Sequence, residues 1–157
     1  MSTDIGLSVD VSFFVLQNKF TYSMTLSSVR VITSDIKRLV RFYEQVTDMP
    51  VTQYTDDFAE LQTPSATLAI GSTRTVQLFG GDNVAKAAEN HSAIIEFRVN
   101  NVDAEYEKLA NILGDSVVQK PTTMPWGNRS LLFRDPDGNL VNFFTPVTPE
   151  ALRKFDG

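Results

Sequence analysis

The chain has 157 residues and a net charge of −5, a size that suits one domain or two small modules around a shared core. The acidic balance, with a pI near 4.8, argues against nucleic acid and anionic membranes as partners, because both attract basic surfaces. The absence of cysteine excludes disulfides and favours a cytoplasmic protein, and no apolar run approaches the roughly 18 residues of a membrane-spanning helix.

Residues 1–24 are predicted to form an N-terminal extension, and residues 25–157 a single domain. The segment Val11–Gln17 is apolar, but the residues before it include Asp4 and Asp10 and no Lys or Arg, so a secretory signal is not expected. The alternative for the extension is an additional strand or arm that covers a neighbouring molecule.

The first regular elements are a strand and a helix in SSVRVITSDIKRLVRFYEQVTDMP. Alternation across residues 28–32 predicts the strand, and Ser34 or Asp35 is expected to cap the helix. Apolar side chains recur in this helix at the spacing of one buried face, and Pro50 ends it. With a hairpin turn at Gly71–Arg74, three further strands are predicted at Phe58–Gln62, Thr67–Ile70 and Thr75–Phe79.

The second half repeats this plan after a polar linker at Gly80–Ser92. Residues 94–99 alternate like the first strand, Asn101 is expected to cap a second helix, and Gly114 to end it. Three strands are then predicted at Ser116–Gln119, Arg129–Arg134 and Leu140–Phe144.

The two helices agree in register, since the apolar positions of the first reappear 66 residues later (102 − 36) in the second. We interpret this agreement as an internal duplication. The predicted fold is therefore α+β, with two tandem βαβββ modules at about 26–80 and 92–146. A short C-terminal helix at about 149–155 begins with Pro149 at its first position.

The segment FRDPDGNLVNFF has the chemistry of a tight turn between two strands. Asp135, Pro136 and Gly138 each suit their position in such a turn. In the strand that follows, Asn142 shares one face with Leu140 and Phe144, so one amide interrupts an otherwise apolar strand.

The paired modules, the helix DIKRLVRFYEQV and the segment FRDPDGNLVNFF together resemble the vicinal oxygen chelate superfamily. That superfamily includes glyoxalase I, extradiol dioxygenases, fosfomycin-resistance enzymes and bleomycin-resistance proteins, and the resemblance covers about Leu26 to Pro146. It implies that the modules form curved mixed sheets around a cavity. It also implies that metal-dependent members hold an ion with His, Gln or Glu on four strands, although one scaffold hosts both metal enzymes and metal-free binders.

Carried onto this chain, the metal-ligand positions of the superfamily hold unsuitable residues. They fall on Ser28, Ile94 and Asn142, and the fourth falls on Gln77, or on Ala69 or Ile70 if that strand pair is shifted. Divalent ions in such sites prefer imidazole or carboxylate ligands. His91 is the only histidine and lies in the predicted linker. We therefore expect neither a bound metal nor another cofactor.

Charged and aromatic residues are expected around the cavity instead. Arg30 and Glu96 occupy matching places in the first strand of each module. They are expected either to form an ion pair with each other or to contact a polar ligand. A guanidinium suits a ligand that carries a carboxylate or an enolate. The predicted ligand-binding set adds polar and aromatic neighbours, namely Gln77, Phe79, Trp126, Asn142 and Phe144. For Trp126 the alternative is a plug at the edge of the core.

Two functions follow from the resemblance and these residues. The first is a metal-free protein of the glyoxalase/bleomycin-resistance type that binds a small, partly aromatic molecule in its internal cavity.

 The second is an enzyme on the same scaffold, a lyase, an isomerase or a dioxygenase-like protein, with Glu96 as a general base or with metal ligands at other positions. A homodimer is expected in either case, because an uncovered sheet edge invites pairing with another chain.

Overall fold

The computed structural model describes residues 23–156, and the predicted extension lies almost entirely outside them. The first half contains β1 (Ser28–Thr33), α1 (Ile36–Thr47), β2 (Thr52–Thr55), β3 (Phe58–Gln62), β4 (Thr67–Ser72) and α2 (Thr73–Gln77). Its four strands form a mixed sheet in the order β1-β4-β3-β2, in which β1 and β4 are parallel. We call this half module 1.

The second half, module 2, repeats the arrangement. It contains β5 (Ile94–Arg98), α3 (Val102–Leu113), a short 3-10 turn (Gly114–Ser116), β6 (Val117–Thr123), β7 (Asn128–Arg134), β8 (Leu140–Pro146) and α4 (Pro149–Asp156). Its sheet has the order β5-β8-β7-β6 with β5 and β8 parallel. The predicted α+β fold of two tandem modules, each with a mixed sheet, is confirmed. None of the helices within residues 23–156 combines the length and the apolar character that a bilayer span requires.

The helix ends follow from local chemistry. The Asp35 side chain accepts a hydrogen bond from the backbone N–H of Arg38, and the Asn101 side chain does the same for Ala104. Both bonds satisfy backbone donors that a first helical turn leaves free. The caps predicted at Asp35 and Asn101 are therefore confirmed, and Gly114 ends α3 with a φ of +49°.

One strand prediction in module 1 is wrong. Thr75–Phe79 is not a strand, because the chain continues β4 through Gly71 and Ser72 and then turns into α2. The parallel neighbour β1 pairs with all six residues of β4, so the residues that looked like a turn are held in the sheet. The missing strand is β2, whose sequence TQYT is fully exposed and lacks an apolar signal.

The helices join the two sheets through one apolar core. Helix α1 packs on β3 and β4 of its own module, and Phe42 and Tyr43 also contact Phe133 and Phe97 of module 2. Each sheet therefore turns one face toward the helices and a common core, whose largest fully buried side chains include Leu39, Leu61, Ile70, Leu109, Leu131 and Phe143. The other face of each sheet points away from this core.

The turn in FRDPDGNLVNFF fastens the two modules together. The buried Tyr43 hydroxyl donates to Asp135 Oδ2 at 2.8 Å, and Arg38 Nη2 lies 2.8 Å from Asp137 Oδ1. Asp135 also accepts from the backbone N–H groups of Asp137 and Asn139, each at 2.9 Å. Burial first, and then the charge of Asp135, raises the pKa of Tyr43 far above its ordinary value, so the hydroxyl stays a donor. Tyr43 thus has a polar role beyond packing.

Candidate functional site

The faces that point away from the common core carry four of the predicted site residues, namely Arg30, Glu96, Asn142 and Phe144. We call these faces outer face 1, with Arg30 on β1, Ala69 and Gly71 on β4 and Phe58 on β3, and outer face 2, with Ile94, Glu96 and Arg98 on β5 and Asn142 and Phe144 on β8. The strand register determines which side chains are neighbours on each face, because Arg30 is aligned with Ala69 and Glu96 is aligned with Asn142. The two modules thus place Arg30 and Glu96 at equivalent positions.

On outer face 1, Arg30 lies against two aromatic rings. Its guanidinium carbon is 4.9 Å from the centre of the Phe58 ring and 5.1 Å from the centre of the Phe79 ring. Gly71 leaves space for the stem of this side chain, since a Cβ at that position would lie 3.2 Å from Arg30 Cδ. Within residues 23–156, no carboxylate pairs with Arg30. The cation is held by rings that attract it electrostatically.

On outer face 2, Glu96 is paired with an amide. Asn142 Nδ2 donates to Glu96 Oε2 at 2.7 Å, so the amide is fixed with its oxygen turned away from the carboxylate. Asn142 is 8% exposed, and its Oδ1 is buried without a hydrogen-bond partner in the described part of the chain. The amide in this apolar strand therefore supports the carboxylate and retains one unused acceptor.

The predicted ion pair between Arg30 and Glu96 is wrong for the single chain. The structure records no salt bridge between these two described residues, and each has other neighbours. Arg30 and Glu96 belong to separate sheets whose helix-bearing faces meet in the core. Both charges therefore lie on surfaces that point away from that core.

The C-terminal helix covers part of outer face 2. The Phe144 ring lies 5.3 Å from the Phe155 ring, centre to centre, and Arg98 Nη2 lies 2.6 Å from Asp156 Oδ1. Arg98 also lies over the Phe155 ring at 5.4 Å. Phe144 is consequently buried in this chain, and Phe155 is a neighbour that the strand pattern did not indicate.

Gln77 and Trp126 do not join these groups. Gln77 ends α2 and lines a separate surface cavity with Val76 and Lys86, so its predicted place on a strand is wrong. Trp126 lies in the turn between β6 and β7 and is 66% exposed. Phe79, at 67% exposed, is the aromatic residue of the predicted set that contacts Arg30.

A cavity of about 450 Å3 runs beside the free edge of β1. Arg30 and the residues next to it form one wall, and the segment 83–90 forms the other. Asn139, from the turn that joins the modules, also lines this cavity. Outer face 1 thus continues into a recess between β1 and the linker.

The strand register also locates the four positions at which the superfamily resemblance places metal ligands. Ala69, and not Gln77, is the module 1 counterpart of Asn142, which leaves the set Ser28, Ala69, Ile94 and Asn142. A methyl group, a branched alkyl group, a hydroxyl and an amide do not fit a divalent ion that prefers imidazole or carboxylate. Residues 23–156 contain no group of three or more His, Asp or Glu side chains that could hold one elsewhere.

Comparison with known proteins agrees with this architecture. The sequence profile of the glyoxalase/bleomycin resistance protein/dioxygenase superfamily matches residues 25–143. The chain belongs to this superfamily. It is 26% identical over 126 residues to the uncharacterized protein YraH of Bacillus subtilis (strain 168), an alignment that covers 77% of this chain and 98% of that protein.

Solved structures of the superfamily have the same fold. A glyoxalase/bleomycin resistance protein/dioxygenase from Nocardioides superposes with a TM-score of 0.67 at 20% identity, over 88% of this chain and 95% of that one. A family enzyme from Burkholderia phytofirmans PsJN gives a TM-score of 0.69 at 17% identity, over 79% of this chain and all (100%) of that one. At these identities the likeness concerns the fold.

Proposed function

We propose that this member of the superfamily binds a small, partly aromatic molecule on its outer faces without a bound metal ion. The observation that carries the proposal is which types of residue occupy those faces. The metal-ligand positions hold residues that bind metal poorly, while a cation against two phenyl rings and a carboxylate fixed by an amide occupy the neighbouring positions. A few polar groups among apolar walls are typical of small-molecule sites.

The metal-free part of this proposal is tested by elemental analysis and titration. Protein purified without chelators is expected to contain far less than one Zn, Mn, Ni or Fe per chain, and calorimetric titration with these ions should give no saturable binding. One equivalent of any of these metals, retained through gel filtration, would contradict the proposal. A thermal-shift screen of small aromatic compounds tests the binding part, because a ligand of the folded state raises the melting temperature.

The proposal includes a homodimer in which a second copy covers the outer faces. Strands β1 and β5 end their sheets, so each has one edge without a strand partner among the described residues. Ile94, 52% exposed, and Phe79 are large apolar side chains near these edges. Light scattering should therefore report about twice the 17.5 kDa chain mass. A monomer across a wide concentration range would contradict this part.

The absence of cysteine is consistent with a cytoplasmic protein, and we include that location in the proposal.

The second candidate function is an enzyme in which Glu96 acts as a general base. It is favoured by the position of Glu96 on an outer face, where Asn142 orients its carboxylate and no described cation neutralises it. A ligand found by screening separates the two functions. If it is converted to a product, and Glu96→Gln stops conversion while binding persists, the protein is an enzyme.

A further inference from the structure

Two arginines on the outer faces lie against aromatic rings, and one of them shows what completes such an arrangement. Arg98 lies over the Phe155 ring at 5.4 Å, and its Nη2 lies 2.6 Å from the Asp156 carboxylate. The ring attracts the cation, and the carboxylate accepts its N–H groups. Both requirements of this guanidinium are thus met within the chain.

Arg30 meets only the first of these requirements. It lies near the Phe58 and Phe79 rings, but no carboxylate of residues 23–156 pairs with it. Aromatic rings do not accept the paired N–H bonds that a guanidinium donates in its plane. The planar fork of an arginine matches the two oxygens of a carboxylate.

We infer that Arg30 binds the carboxylate of a small-molecule ligand, whose flat apolar part lies against Phe58 and Phe79. The inference rests on the proposed function, because it names the class of molecule that outer face 1 takes: an aromatic or otherwise flat carboxylic acid. Arg30 also lines the cavity of about 450 Å3 at the edge of β1, whereas Phe58 and Phe79 lie outside that cavity, on the exposed side of the arginine. Gly71 agrees with this role, since a side chain there would crowd the stem of Arg30.

Glu96 of a second copy is the rival source of the carboxylate. It would pair with Arg30 across a dimer and leave no anion site for a ligand. The two cases differ in what Glu96→Gln does. A ligand carboxylate makes acid binding independent of Glu96, whereas an ion pair between copies makes both Arg30 and Glu96 necessary for the dimer.

The experiment compares matched acids and amides. Benzoate, phenylacetate and phenylpropanoate are each titrated beside the corresponding carboxamide, which keeps the ring and the shape but not the charge. The proteins are the full chain, Arg30→Gln, Arg30→Lys, Glu96→Gln and, as a control of equal charge change, Arg98→Gln. Circular dichroism verifies that each variant is folded before titration.

We expect at least one acid to bind about tenfold or more tightly than its amide, the range for hydrogen bonds to a charged group. Arg30→Gln should abolish this preference and Arg30→Lys should reduce it, because lysine keeps the charge but loses the planar fork. Arg98→Gln and Glu96→Gln should retain it.

Three results would overturn the inference. The first is that no acid is preferred over its amide by the full chain, and the second is that the preference survives in Arg30→Gln. The third is that Arg30→Gln and Glu96→Gln both dissociate a dimer while acids do not bind. Neutral compounds that bind without regard to Arg30 would leave the proposed small-molecule binding intact and reject only the carboxylate.

Discussion

Replacement of Tyr43 by phenylalanine is expected to weaken the connection between the two modules. The change removes one hydroxyl that is buried between α1 and the turn at Asp135, and it leaves the ring in place. The aromatic contacts of Tyr43 with Phe42 and Phe97 are therefore retained, and no cavity larger than an oxygen atom is created. The effect on stability reports the hydrogen bond alone.

The structure places this effect in the lower part of the range for a hydrogen bond to a charged group. Such bonds contribute about 1.5–3 kcal/mol. Asp135 Oδ2 would still accept the Asn139 side-chain amide at 2.8 Å, and Asp135 Oδ1 would keep two backbone donors. The carboxylate is therefore not left bare, and we expect a loss of about 1.5–2 kcal/mol in the free energy of unfolding.

The assay is urea denaturation followed by far-UV circular dichroism, with Tyr106→Phe as the matched control. Tyr106 also packs against the common core, but its hydroxyl has no hydrogen-bond partner among the described residues. Its replacement should change the free energy of unfolding by less than about 0.5 kcal/mol. Equal slopes against urea concentration in all three proteins would show that the same surface is exposed on unfolding.

The free energy of unfolding at alkaline pH gives an independent test of the Tyr43 hydroxyl. A tyrosine in the unfolded chain loses its proton near pH 10, whereas burial and Asp135 make Tyr43 keep its proton in the folded chain. Because the folded state then binds one more proton, the contribution of Tyr43 is complete below pH 10. Above pH 10 it falls by about 1.4 kcal/mol per pH unit. This decline should be absent from Tyr43→Phe.

The reasoning is refuted if Tyr43→Phe is as stable as Tyr106→Phe at neutral pH. It is also refuted if the two variants lose stability in parallel above pH 10. Either result would mean that the hydroxyl does not stabilise the contact between the modules.

Two further substitutions test the outer faces, and a third tests the exposed Trp126. Gly71→Ala should lower acid binding while the fold persists, because the added methyl group would lie 2.9 Å from Thr75 Oγ1 and 3.2 Å from Arg30 Cδ and so shift both side chains; unchanged binding would contradict this. Asn142→Asp places a second carboxylate about where an amide now lies 2.7 Å from Glu96, which raises the pKa of the pair. Because the folded state then holds the proton more tightly, urea titrations should show the variant losing stability as the pH rises from about 5 to about 8, and equal values would contradict it. Trp126→Ala should change the free energy of unfolding by less than about 0.5 kcal/mol, since the ring is exposed; a larger loss would show that another surface covers it.

The parts of the fold that the sequence predicts correctly depend on local chemistry. The side chains of Asp35 and Asn101 cap their helices by accepting hydrogen bonds from backbone N–H groups three residues later in the chain. The spacing of apolar residues marks the buried face of α1. The end of β4 was mispredicted because Gly71 and Ser72 have the composition of a turn. Their place in the sheet depends on pairing with β1, about 40 residues earlier, which a local pattern does not contain.

The sequence predicts which strand face carries each candidate site residue, but it does not predict which of these residues lie together. Alternation correctly places Arg30 on one face of β1 and both Glu96 and Asn142 on one face of the second parallel pair. Whether the two faces meet depends on how α1 packs against both sheets, which is set by contacts between distant side chains. Phe58 was overlooked because it begins a strand and gave no separate signal, although its ring lies against Arg30.

The common core bears on the internal duplication that we interpret from the matched registers of the two helices. Helix α1 covers part of the apolar surface of module 2, so a chain with only one module would leave rings such as Phe97 and Phe133 exposed to water. A half-length ancestor would therefore have needed a second molecule of itself to bury this surface. Gene fusion would have turned that contact between molecules into one within a chain. It would also have allowed the two halves to diverge, so that one now carries arginine where the other carries glutamate.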